Sequence, residues 1–392
     1  MIRHAQCRTT DLALQYGRDM AERVDVLVVG AGAMGASSAW WLAKQGRSIA
    51  LLEQFERGHV NGSSHGQTRI FRVAYRDPIY TALAAQSIPL WRELEHDAET
   101  MLLEQSGQLD HGFTAAIDEI EAGLLGAGYS FDRLDPDAAH ERWPALNFDN
   151  AVLFSPDGGR VFADRTVDAA ITSAQAHGAQ LHFNTAVRAI EPRGDGVAVV
   201  TDDKTWHAGS VVVSAGAWVE GLVGRQSAWR NYFSLPTLAV TEQQPVHFAI
   251  KPDMEFPSYI HHVFDDSPGA ALRFGAYGLE SPGEGVKLGL ETHRPVKSLV
   301  DRTLAIDQVD LDASIEYAHR WLPGADTSKV SAVRCLFTTT PDAHFILDRI
   351  GPIVVCSPCS GHGFKFTPAI GKITAELAMG GEQRRPEWRI SA

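Results

Sequence analysis

Val24 to Val29 is an apolar, β-branched run interrupted only by Asp25, the pattern of a strand covered on both faces. Glycines follow at 30, 32 and 35, and Ala36 to Lys44 has the spacing of a helix. A second apolar run, SIALLE, predicts a strand that ends at Glu53. The stretch TALAAQSIPLWRELEHDAETMLLEQ, residues 81–105, keeps a helical period in spite of Pro89 and predicts a long helix. From Ala169 onward the pattern reads helix, strand and then a β-meander turning at Gly194-Asp195-Gly196. GPIVVC, ending at Cys356, is a further apolar strand. No internal repeat and no low-complexity segment breaks this order.

Length and composition narrow the picture. A chain of 392 residues is too long for one ordinary core and predicts two domains, or one interleaved with another. With 44% apolar and 21% charged residues the usage is that of a soluble globular protein, and no apolar run approaches the ~20 residues a bilayer requires. A formal charge of −13 argues against nucleic acid or an anionic membrane as partner. The four cysteines, Cys7, Cys335, Cys356 and Cys359, are too few for a disulfide framework, so a reducing cytoplasm is expected. CSPC has C-x-x-C spacing, but it follows a strand instead of opening a helix and has no second pair; no metal site is expected. Residues 1–22 lack the apolar core and small-residue cleavage site of a secretory signal. The expectation is a disordered arm over residues 1–19, with Met20 a candidate start.

Strand, glycines, helix, strand and acid together carry the first chemistry. At G-x-G-x-x-G spacing, Gly30 allows a tight turn, Gly32 admits a pyrophosphate close to the backbone, and Gly35 lets helix and strand pack closely. The helix N-terminus then turns N–H groups and a favourable dipole toward phosphate, and Glu53 is placed for a ribose hydroxyl. This unit binds a dinucleotide without distinguishing FAD from NAD.

The next segment makes that distinction. GSSHGQTRIFRVAY (62–75), VVVSAGAW (211–218), GVKLG (285–289) and SGHGFKFTPAIGKITAELA (360–378) together resemble the monomeric sarcosine oxidase and N-methyltryptophan oxidase family of flavoproteins. The likeness runs from about Val24 to Gly380. It implies an α/β and α+β fold: a Rossmann-like FAD-binding domain interleaved with a mostly antiparallel β-sheet substrate domain. The expected division is 20–85, 151–225 and 326–392 for the former, and 86–150 and 226–325 for the latter.

The resemblance also implies roles. Ser63, Ser64 and His65, the backbone at Val187, and Gly361, Gly363 and Lys365 would contact FAD, and Cys335 would carry it through a thioether. On its own an isolated cysteine is more often a small core hydrophobe. Arg72 and Lys365 match the cations that hold a substrate carboxylate, a fork and a point charge. Arg69 matches an arginine lying against the flavin, where it would stabilise charge on the reduced ring. Lys287 matches the lysine that helps dioxygen react. The expected reaction is oxidation of a secondary or cyclic amine or amino acid to an imine, with O2 reduced to hydrogen peroxide by a monomer.

The chain also departs from that family. Glu291 stands four residues after Lys287, where sarcosine oxidases carry histidine, with His293 two further on. Phe337 and Phe274 replace the two pocket tyrosines. A buried carboxylate is costly unless paired, so Glu291 is expected either to meet a cationic or N–H-bearing group or to turn away from the pocket. Three rival readings are an amine dehydrogenase with another electron acceptor, a nicotinamide-dependent reductase, and a flavin-binding protein without turnover.

Overall fold

A computed structural model describes residues 23–263, 275–292 and 294–390; Phe274, His293 and the expected N-terminal arm lie outside the described residues. The apolar run becomes the strand Arg23–Val29, parallel to Ile49–Leu52 on one side and to Thr205–Val213 on the other. From Val26 to Val29 its side chains are buried from both faces, as in parallel sheets covered by helices and loops, while Arg23 and Asp25 at its start are exposed. Each fully buried residue such as Leu27 or Leu51 contributes on the order of 1.5–3 kcal/mol. Eight strands make this first sheet. The meander Val187–Arg193, Gly196–Thr201 and Thr205–Val213 flanks it, and Ile353–Ser357 joins Thr205–Val213 in parallel. Helix Ala33–Lys44 covers one face, packed between helices Ala163–Ala176 and Thr367–Ala378.

The long helix is shorter than its period predicted. It runs Pro78–Ala98, begins on the Asp77 carboxylate and ends at Glu99, which adopts φ 50°. Beyond it the Glu95 carboxylate accepts the Leu102 and Leu103 N–H groups at 2.7 and 2.8 Å, turning the chain into the short strand Leu103–Glu104. A side-chain cap thus overrides a helical pattern.

A second eight-stranded sheet follows the order Ala325–Ala332, Val246–Ile250, Gly285–Leu290, Ala276–Ser281, Ser258–His262, Gln108–Gly112, Val152–Ser155 and Asp132–Leu134. All neighbours are antiparallel except Ser258–His262 with Gln108–Gly112. Two of its strands, Val152–Ser155 and Ala325–Ala332, lie respectively just past the expected boundary at 151 and across the one at 326. Among the described residues two three-stranded sheets complete the fold: Thr68–Phe71 with Gly159–Phe162 and Leu103–Glu104, and Arg294–Pro295 with Ala239–Gln243 and Cys335–Thr339. These put the GSSH loop's outgoing strand and the Cys335 strand on the walls of one cavity.

Candidate active site

That cavity has a volume of about 1640 Å³ and is lined by residues of both large sheets. It exceeds the ~300–1,000 Å³ of ordinary small-molecule pockets, as a site for a dinucleotide plus a substrate would. Gly30–Met34, Glu53 and Val187 line it, and so do Arg69, Arg72, Lys287, Cys335 and Lys365. Gly30 has φ +96°, and a Cβ on Gly35 would stand 1.8 Å from the Gly30 carbonyl oxygen, so strand, turn and helix close only with glycine there. Gly35 supports the cavity from beneath.

Glu53 is nearly buried, and its two oxygens accept the Ala31 and Phe55 N–H groups at 2.8 and 3.0 Å. Burial pushes its carboxyl up, but hydrogen bonds from His59 and those two N–H groups outweigh it and hold the pKa low. The result is an ionised acceptor fixed beside the glycine turn. Ser64 Oγ accepts the Ala33 N–H at 3.0 Å at the start of the helix. His65 presents a buried Nε2 that has no hydrogen-bond partner. This orphaned donor or acceptor, the glycine cradle and the fixed carboxylate fit a pyrophosphate-bridged dinucleotide.

Arg69 lies in strand Thr68–Phe71, and Arg72 follows just after the strand's end, so period-two alternation no longer separates them and both line the cavity. The Arg69 guanidinium donates to the Ser63, His65 and Thr68 carbonyls at 3.1, 2.6 and 2.8 Å, which ties it to the loop it follows. Arg72 is buried, its guanidinium 4.2 Å from the Tyr75 ring centroid. Lys365 is buried as well. Its Nζ donates to the His362 carbonyl at 3.0 Å, and its own carbonyl accepts the Trp91 indole N–H at 2.9 Å. Burial, with Arg72 and Arg69 nearby, pulls the Lys365 pKa well below its usual value.

Lys287 points from the centre of strand Gly285–Leu290 into the same space, 4% exposed. Its Nζ donates to the Thr68 carbonyl at 2.9 Å. Burial, and then Arg69, bring its pKa down to about 7, so its charge changes near neutral pH. Cys335 opens strand Cys335–Thr339, opposite Gln243. Burial raises its thiol pKa, with Arg69, Lys287 and Arg302 acting the other way. Phe337, two residues on, lies so close to Gly361 that a Cβ there would stand 2.0 Å from the ring. Gly361 and Gly363 line the cavity.

Glu291 lines it too, just beyond the end of its strand; burial of the Tyr277 hydroxyl raises that phenol's pKa, and the Glu291 charge acts in the same direction. Tyr277 was missed in the sequence. It sits opposite Gly289, where a Cβ would meet the ring at 2.2 Å. The alternation Lys287-Gly289-Glu291, carried across the strand pair, is the signal that would have found it. His262, held by the Asp110 carboxylate at 2.9 Å, is another cavity residue that the sequence did not flag.

Away from this cavity, His111, His261 and Asp149 bring three ligand-type atoms within 4.8 Å of one another. The two imidazoles stack with centroids 4.1 Å apart and planes 19° apart, so their in-plane lone pairs run nearly parallel instead of converging on one ion. Cys356 and Cys359 are free thiols with separate hydroxyl partners, Thr374 and Ser357.

Comparison with known proteins agrees with this geometry. A monomeric sarcosine oxidase of Streptomyces avermitilis is 31% identical over 94% of this chain and 96% of its own. The human peroxisomal sarcosine oxidase is 30% identical over 91% and 92%. Among solved structures, NikD, described as an unusual amino acid oxidase essential for nikkomycin biosynthesis, superposes with a TM-score of 0.80 at 27% identity, covering 93% of this chain and 96% of that one. Residues 25–377 match the family described as DAO, FAD dependent oxidoreductase. With a glycine turn and four buried or half-buried cations lining one cavity, and with residues 25–377 matching its model, this chain belongs to the DAO family of FAD-dependent oxidoreductases.

Proposed function

We propose that the protein is a monomeric, cytoplasmic oxidase of a secondary or cyclic amino acid, with FAD attached through Cys335 and hydrogen peroxide as the reduced product. The carrying observation is that Arg69, Arg72, Lys287, Cys335 and Lys365 all line one cavity. Bound FAD supplies the two-electron acceptor. Arg72 and Lys365 hold the substrate carboxylate, and the same cations favour the neutral amine, whose lone pair hydride loss requires. Arg69 stabilises negative charge developing on the acceptor, and Lys287 supplies a proton and positive charge to dioxygen. Glu291 and Tyr277 line the same cavity on the strand pair that carries Lys287. There Glu291 pairs with a cationic or N–H-bearing part of a substrate larger than sarcosine. The first sheet carries the cofactor and the second the substrate side.

Purified protein tests this directly. A yellow acid pellet, an intact mass raised by one FAD and lost in Cys335→Ala, and peroxide formed with a secondary amine are expected. Flavin released to the supernatant refutes the thioether. Reduction by amine without peroxide in air favours the dehydrogenase.

A further inference from the structure

The segment between strand Arg294–Pro295 and helix Gln308–Trp321 leaves Val300, Leu304 and Ile306 exposed, so polar contacts hold it in place. The Val296 N–H donates to the Val240 carbonyl at 2.9 Å, and at the far end the Asp307 N–H donates to Gln244 Oε1 at 2.7 Å. Between them Arg302 turns inward, its side chain 7% exposed. Its Nη2 donates at 3.0 Å to the carbonyl of Asn61, just ahead of the loop that holds Ser63, Ser64 and His65. Its Nη1 faces Glu242 Oε1 at 3.5 Å, and neither of these buried atoms has a hydrogen-bond partner. Arg334 donates to the other Glu242 oxygen. Glu242 stands opposite Leu336, and its neighbour Gln243 stands opposite Cys335. One guanidinium thus joins the serine loop to the strand pair that carries the thiol, and Val300, two residues before it, lines the cavity.

We propose that Arg302, held by Glu242, is a positioning residue for the attachment of FAD: it clasps the serine loop to the Cys335 strand pair and so holds the flavin methyl group against the thiol. This rests on the thioether reading above. Attachment breaks the thiol S–H bond and one methyl C–H bond and forms one S–C bond. Two electrons and two protons pass to the flavin, and dioxygen removes them as hydrogen peroxide. Such a step depends on close placement of the reacting atoms, and a displacement of about 1 Å costs on the order of 10²-fold. Neither Arg302 nor Glu242 lines the cavity, so they act through the loop and the strand.

A role through charge alone gives the opposite expectation for one variant. The groups that act on Cys335 are Arg69 of strand Thr68–Phe71, Lys287 of Gly285–Leu290, Tyr277 of Ala276–Ser281, Arg302, and Glu242 of the paired strand. Burial raises the thiol pKa, the three cations favour the thiolate, and Glu242 opposes it. If charge were the whole effect, neutralising Glu242 would ease thiolate formation and speed attachment. If Glu242 holds the clasp, the same change slows attachment although the thiolate forms more readily.

The test uses the full chain produced without flavin and mixed with saturating FAD in air, the adduct being followed by acid-precipitated flavin and intact mass. Arg302→Met and Glu242→Gln are both expected to slow attachment about ten-fold or more. Arg302→Lys should stay slow, because a point charge on a single amine does not bridge both partners as the fork does. In the same flavin-free proteins, alkylation of Cys335 by iodoacetamide across pH 7–10 reads the thiolate by itself. Arg302→Met should move that transition to higher pH and Glu242→Gln to lower pH, by about one unit or less. Quenching of FAD fluorescence in the Cys335→Ala background checks that each variant still binds the cofactor. Variants that attach FAD at the wild-type rate, or Glu242→Gln attaching faster, would overturn the clasp alone. Loss of FAD binding in all three variants would also overturn it, leaving Arg302 a residue of the fold. Wild-type protein that binds FAD and forms no adduct refutes the thioether, and the clasp with it.

Discussion

Replacing Lys287 with methionine gives a stability change whose size and sign follow from burial. The lysine is 4% exposed, and its pKa falls from 10.5 to about 7. Because the folded value lies below the unfolded one, the unfolded chain binds more protons between pH 7 and 10.5, and stability rises with pH through that window. At 1.36 kcal/mol per unit, this costs the native state roughly 4 kcal/mol at pH 7 and roughly 2 kcal/mol at pH 9. Methionine keeps the length and escapes the cost, but loses the hydrogen bonds to Thr68, worth about 1.5 kcal/mol. Lys287→Met is therefore expected to be the more stable protein at pH 7, by about 2.5 kcal/mol, and to lose most of that advantage by pH 9. Denaturant midpoints of both holoproteins, read by tryptophan fluorescence at the two pH values, measure the difference. A gap that stays constant between them would show that the lysine does not titrate in this range, and the burial argument would fail.

Three further outcomes are expected. Gly35→Ala places a Cβ 1.8 Å from the Gly30 oxygen and 2.5 Å from Ser214 Oγ. It should cost about 3 kcal/mol and lower the flavin-to-protein ratio, checked by thermal melt and absorbance. Arg72→Lys keeps the charge but loses the fork and the stacking on Tyr75, so KM for a carboxylated amine should rise about ten-fold or more. An analogue lacking the carboxylate should be unaffected, and equal sensitivity of the two would argue against carboxylate binding at Arg72. Glu291→His should raise activity toward sarcosine. No gain would count against the pairing assigned to Glu291.

The glycine turn, its flanking strands and helix, and Glu53 were all legible in the chain, because each depends on spacing within about thirty residues and on local backbone chemistry. The family likeness then nominated the cations and Cys335, and the cavity brings together every nominated residue except Gly35, which lies beneath it, and Phe274, outside the described residues. The end of the long helix was misread, because the cap that stops it comes from the Glu95 side chain and not from the apolar period.

What the sequence determined by itself was therefore local: which segments are strands or helices, and which turn must be glycine. Tertiary structure decided the rest. Thr68 and Ser281 are ordinary polar residues until the packing of one sheet on another sets their hydroxyls 3.2 Å apart, more than two hundred positions apart in sequence, with Lys287 Nζ 3.3 Å from Thr68 Oγ1. Tyr277 enters the cavity because antiparallel register sets it against Gly289. Lys287 titrates near neutrality because two sheets remove it from water beside Arg69. Register, burial and the field of distant charges are sums over the folded chain, and no short stretch of sequence contains them.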